Sequence, residues 1–150
     1  MATISFHASD ENEQAIRALA AHQGIGVSAF VNQVVEEGLR MRRFPGVVYR
    51  TGATGRRAAL AGSLDIWEVI AILAEFTGDQ AALLAAYPSL TSQALKTVQA
   101  YYAAYPLEID SRIAMSNQQE AEIARELPAL FHTSVPTRPA RSPRKPGKRT

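Results

Sequence analysis

The chain opens with Thr3-Ile4-Ser5-Phe6-His7, an alternating stretch in which Ile4 and Phe6 point one way and Thr3, Ser5 and His7 the other. Two helical patterns follow at once, so this strand has no neighbour in sequence to pair with. An unpaired strand leaves a row of backbone donors and acceptors open. A second copy of the chain, antiparallel across a two-fold axis, closes that row. A two-stranded ribbon made this way fits the DNA major groove. The opening residues therefore predict a homodimer and a nucleic-acid partner.

Ser9 or Asp10 offers an N-cap, and Asp10, Glu11 and Glu13 place acids where the helix dipole favours them. The helix they begin carries a modest apolar face, Ile16, Leu19 and Ala20, and ends at Gly24. A second helix starts near Gly26–Ser28. Its stripe of Val27, Phe30, Val31, Val34, Val35 and Leu39 has three-to-four spacing, and it stops before Pro45. The homodimer is expected to form through residues 2–7 and these two helices, a module spanning residues 1–44.

Residues 46–106 read as a second module. Val47-Val48-Tyr49 and Arg57 to Leu60 form a hairpin around Thr51-Gly52-Ala53-Thr54-Gly55. Asp65 followed by Glu68 has capping-box spacing. The helix after it, through Ile66, Trp67, Val69, Ile70, Ile72, Leu73 and Phe76, is apolar nearly all round and belongs in a core. A short helix over Gln80–Ala86 and a longer one from Ser92 to about Ala104, capped by Thr91, complete a helix-turn-helix arrangement that Pro106 ends.

Beyond Pro106 the apolar residues thin out, with a helix expected from about Ser111 to Leu127. Ile113, Ile123, Leu127, Leu130 and Phe131 are spaced anchors on a polar segment, the pattern of a chain that orders against a partner. Residues 107–133 are therefore the expected partner-binding element. Residues 134–150 are Pro- and Arg-rich and read as a flexible basic tail. The overall expectation is a mainly α protein.

The chain has 150 residues, no cysteine and a net charge of +2. Absence of cysteine excludes disulfides and zinc-thiolate sites and fits a cytoplasmic protein. No apolar run reaches membrane-span length. The charge is uneven: residues 138–150 hold six basic residues and no acid, leaving the rest at −4. A second cluster, Arg40, Arg42, Arg43, Arg50, Arg56 and Arg57, lies in a stretch without acids, and like-charged clusters point to a partner. Its alternative is a solvated surface. His7, His22 and His132 lack metal-ligand spacing, and no phosphate loop or nucleophile elbow is present, so neither catalysis nor a cofactor or metal is expected.

Ile4-Ser5-Phe6, Gly24-Ile25-Gly26-Val27-Ser28-Ala29-Phe30-Val31 and Glu37-Gly38-Leu39 together resemble the ribbon-helix-helix DNA-binding fold. Gly46-Val47-Val48-Tyr49-Arg50, Gly55-Arg56-Arg57-Ala58-Ala59-Leu60-Ala61-Gly62, Asp65-Ile66-Trp67-Glu68-Val69, Tyr87-Pro88, Leu90-Thr91 and Tyr101-Tyr102-Ala103-Ala104-Tyr105-Pro106 resemble a small hairpin-plus-helix-turn-helix domain of unknown function. Joined in one chain, the two resemble antitoxins of the VapB type. That resemblance implies an antitoxin of a type II pair that binds a PIN-like ribonuclease toxin and represses its own operon at operator DNA.

In that setting Thr3, Ser5 and His7 face bases, where the family usually carries Arg or Lys, which read guanine more strongly than hydroxyls do. Gly26, Val27 and Ser28 offer helix-start N–H groups to a phosphate. Arg42, Arg43, Arg56 and Arg57 neutralise the DNA backbone. Arg112 or Arg125 would enter the acidic pocket of the toxin, flanked by the anchors of the 107–133 segment. Two rival expectations remain: a DNA-binding regulator with no toxin, and a dimeric scaffold that binds only protein.

Overall fold

The computed structural model describes residues 2–128. Among these residues the protein is mainly helical, with six helices and one two-stranded antiparallel sheet. No single helix is long and apolar enough to cross a membrane. One compact unit runs through Ile113, and a second begins at Ala114. The divisions expected near residues 44–46 and 106–107 thus fall inside the first unit.

Helix α1 (Asp10–Gln23) starts where Ser9 Oγ accepts the Asn12 N–H at 3.3 Å and stops at Gly24, whose φ of 68° suits a residue without a Cβ. Helix α2 (Val27–Arg43) packs on α1 and ends at Phe44. Within this pair only Ala20 and Phe30 are buried. Residues 3–9 form neither helix nor strand. The strand expected over Thr3–His7 has no partner among the described residues, where the only ladder joins β1 to β2; without an adjacent backbone no ladder can form.

The hairpin comprises β1 (Val47–Gly52) and β2 (Gly55–Leu60), with Val47 opposite Leu60 and Arg50 opposite Arg57. Ala53 and Thr54 link the strands, and Gly55 takes the positive φ of 91° that the turn requires. Helix α3 (Ile66–Glu75) begins at the expected capping box: the Asp65 carboxylate accepts from the helix backbone, and Glu68 Oε2 accepts the Asp65 N–H at 2.7 Å. Thr77 at φ 54° and Gly78 at φ 80° turn the chain into α4 (Gln80–Ala86), which meets α3 at 115°. Thr91 Oγ1 accepts the Ala94 N–H at 3.0 Å to open α5 (Ser92–Ala104).

Pro106 ends α5 as expected but also begins α6 (Pro106–Glu126), five residues before the predicted start. Proline suits the first helical turn, where its missing N–H would have no partner anyway. The core gathers Phe44, Val47, Leu60, Ile66, Val69, Leu83, Leu90, Leu95, Val98, Tyr101 and Ile109, so it draws on the hairpin, α3 to α5 and the start of α6. Helix α1 and most of α2 contribute nothing to it.

Candidate functional site

Two features stand out in the first unit: a bare apolar face and a polar junction. The face belongs to residues 4–41. Ile4 is 89% exposed, Phe6 58% and Leu39 62%, and Leu19, Ile25, Val27, Val34, Val35 and Met41 are also exposed. Phe6, Ala15, Ile16, Leu19, Phe30, Val31, Val34 and Val35 line a groove of about 400 Å³. Full burial of such a side chain is worth roughly 1.5–3 kcal/mol, and each of these forgoes a share of that in proportion to its exposure. Monomeric proteins rarely leave so many contiguous apolar groups in water.

The residues expected to contact DNA lie in different settings. Thr3, Ser5 and His7 are exposed. Gly26 caps α2 without a side-chain oxygen, so the first-turn N–H groups at Val27 and Ser28 receive no help from the cap. Arg42 and Arg43 are exposed; Arg42 Nη1 donates to its own Gly38 carbonyl at 3.3 Å, and Arg43 lies over the Phe44 ring. Neither forms a salt bridge among the described residues.

Arg56 and Arg57 are each paired with a carboxylate. Arg56 grips the Glu37 carboxylate with Nε at 2.5 Å and Nη2 at 2.6 Å, which raises its pKa further. Arg57 and Arg50, opposite each other across the hairpin, both bind Asp65. Asp65 is 2% exposed and also accepts the Trp67 Nε1–H at 3.2 Å. Two like charges placed side by side need such a counter-ion. These pairings tie the hairpin to α2 and to the start of α3.

Arg112 is also committed within the chain. It donates to the carbonyls of Thr54 and Arg56, the latter at 2.7 Å, so it fastens the hairpin turn to α6. Ile113 packs against the core. Both belong to the expected partner-binding set, and here both make contacts within the first unit. The second unit keeps the rest of that set: Ile123 and Leu127 are exposed, Arg125 is exposed, and Met115 is a further exposed apolar residue that the spacing did not single out. Leu130, Phe131 and the tail of residues 134–150 lie outside the described residues.

The junction was not foreseen. Arg40 Nη1 donates to Glu108 Oε2 at 2.7 Å and to Tyr101 Oη at 3.1 Å, and Arg40 also bonds Glu36. Tyr101 donates to Glu108 Oε1 at 2.8 Å, and the Tyr49 and Tyr101 hydroxyls lie 2.9 Å apart. The Arg40 guanidinium stacks 3.9 Å from the Tyr105 ring centre. Burial opposes the charge on Arg40, but the bonds to Glu108, Tyr101 and Tyr49 outweigh it and raise its pKa. Burial raises the pKa of Tyr101, and its bonds to Tyr49 and Glu108 raise it further. Four elements, α2, β1, α5 and α6, meet in this network.

The exposed side of α5 presents Gln93 and a single lysine, Lys96. Among the described residues no three His, Asp or Glu side chains converge as metal ligands. In comparisons with protein-family models, curated proteins and solved structures, nothing matches this chain.

Proposed function

We propose that this protein is the antitoxin of a type II toxin–antitoxin pair, of the VapB kind: a ribbon-helix-helix dimer at the N-terminus, a hairpin and helix-turn-helix module after it, and a C-terminal segment that grips a PIN-like ribonuclease. The observation that carries this is the bare apolar face of residues 4–41. Its opening segment alternates and has no strand partner among the described residues of its own chain, and its two helices bury almost nothing of their own. A second copy closes the ribbon and covers the face in one step.

In that dimer Thr3, Ser5 and His7 face the major groove, and Gly26, Val27 and Ser28 present N–H groups to a phosphate. The backbone cations are Arg42 and Arg43, because Arg56 and Arg57 are held by carboxylates. The hairpin and helix-turn-helix module acts in assembly, since α5 offers one lysine for a groove. Met115, Ile123, Arg125 and Leu127 form the described part of the toxin-binding stretch. Toxin that bridges dimers on neighbouring sites strengthens repression through effective concentration.

Co-expression with the product of the adjacent gene tests this. The account expects that product to be a nuclease whose growth arrest is relieved by this chain and not by one ending at Ile113. A neighbour with no nuclease activity, or an arrest that this chain does not relieve, contradicts it. Salt-dependent DNA retention by the dimer with no toxin in sight would favour the plain regulator, and no DNA retention at low salt the protein-only scaffold.

A further inference from the structure

The apolar face of α2 contains a glycine for which the described residues of its own chain supply no reason. Val31, Val34, Gly38 and Met41 alternate at spacings of three and four, so Gly38 sits within the seam. Glycine is the poorest helix former after proline. Gly38 is not among the glycines with positive φ, so its backbone does not require it. Among the described residues, a Cβ built there meets within 4 Å only an Arg42 guanidinium nitrogen at an ordinary 3.5 Å. Alanine fits this position in the single chain and would favour the helix.

The far side of α2 is fixed. Arg40 reaches Glu108 and Tyr101, and Glu37 reaches Arg56. The helix therefore presents its seam outward, with Val34 and Val35 about half-exposed. The large apolar side chains exposed over residues 4–41 supply the apolar surface from which a stable interface, ~800 Å² on each protomer, is built.

We propose that α2 crosses α2 of a second copy at Gly38, on the two-fold axis. This rests on the dimer described under the proposed function and adds where its helices touch. On such an axis a residue meets itself, so any side chain is counted twice at the point of closest approach. A foreign partner can supply the small residue on its own side of a contact; a self-contact cannot. Glycine lets the two backbones close, with Val35 of one copy against Met41 of the other, and Val34 against the stem of Arg42.

The chain has no cysteine, so a single introduced thiol reports its own neighbourhood. Full-length Gly38→Cys and Asn32→Cys, the latter on the outer side of α2, are oxidised mildly and read as covalent dimer. A disulfide needs Cα atoms within about 7 Å. The crossing predicts cross-linking at position 38 and none at 32. It also predicts that Gly38→Leu, with helix content preserved by circular dichroism, raises the dimer dissociation constant about tenfold or more, a clash of the overpacking kind. If the unaltered chain is dimeric by light scattering while Gly38→Cys fails to cross-link and Gly38→Leu associates equally well, the crossing is wrong and the dimer stands. If the unaltered chain is monomeric at about 100 μM, where weak association would already show, both fall.

Discussion

Arg40, in the last turn of α2, and Glu108, in the first turn of α6, meet at 2.7 Å across 68 positions of sequence. The pair closes the C-terminal end of α2 onto the body of the first unit. Arg40 is only 17% exposed at its side chain, so the pair is shielded from solvent on one side and Tyr105 stacks on the guanidinium. The same turn of α2 that Arg40 anchors carries Arg42 and Arg43, and the same turn of α6 precedes the segment proposed to bind a toxin.

Removing Glu108 leaves Arg40 partly buried beside Tyr101 with Glu36 as its remaining acid. Glu108→Ala is expected to cost about 2 kcal/mol, below the full penalty for a deeply buried pair because Glu108 is itself about a third exposed. Urea unfolding followed by Trp67 fluorescence measures it. In a double-mutant cycle with Arg40→Ala the two losses should fall short of additivity by about 1 kcal/mol or more, on the order seen for directly bonded pairs.

The hydroxyls of Tyr49 and Tyr101 are held protonated in the fold. Burial is the first cause for both, and it raises each above the ordinary value of 10.0. A raised folded pKa means that the folded chain keeps protons that the unfolded chain has released. Their contribution is complete below about pH 10 and is lost as pH climbs beyond it. Stability should fall steeply above about pH 10. Tyr101→Phe should cost about 1–2 kcal/mol at neutral pH, because Tyr49 and Arg40 lose a partner, and should flatten the alkaline fall. Melting temperatures from roughly pH 8 to 11, a range that brackets the ordinary tyrosine value, supply both readings.

Asp65 neutralises two arginines that face each other across the hairpin and also starts α3. Asp65→Asn keeps the shape and a capping oxygen but strands two cations around a buried amide. A loss of about 3 kcal/mol is expected, with a change in Trp67 emission because its indole N–H donates to this carboxylate. Asp65→Ala should cost more, since the cap goes as well.

Substitutions at Arg42 and Arg56 test the proposed division between DNA binding and scaffolding. Arg42→Ala with Arg43→Ala should weaken DNA binding and reduce the slope of log K against log salt by ~0.9 for each phosphate no longer neutralised, with little change in stability. Arg56→Gln should do the reverse: the Glu37 carboxylate loses its bidentate partner, stability falls, and the salt slope holds. Filter-binding titrations at several salt concentrations, paired with unfolding curves, distinguish the two.

Local signals in the sequence were legible where neighbours decide the structure. Ser9, Asp65, Asp79 and Thr91 cap the helices that follow them, and Gly24 closes α1. The hairpin and its turn fall where Val47-Val48-Tyr49 and the paired glycines place them. The arginine cluster's counter-ions lie outside its acid-free stretch, some close and some remote: Glu36 is 4 positions from Arg40 and Asp65 is 8 from Arg57, while Glu37 is 19 from Arg56 and Glu108 is 68 from Arg40. Charge along a chain says nothing of which acids the fold brings back. One clue was available, since the hairpin register sets Arg50 beside Arg57 and so requires a nearby acid. Arg112 had no such clue, for its partners are backbone carbonyls that every residue has.

Sedimentation equilibrium of the full-length chain tests the central claim, that the apolar face of residues 4–41 is covered by a second copy. The account predicts a mass of twice 16.3 kDa at low micromolar concentration, reduced toward a single chain by Phe6→Glu in the ribbon. A mass of 16.3 kDa for the unaltered chain from low micromolar up to about 100 μM would contradict it.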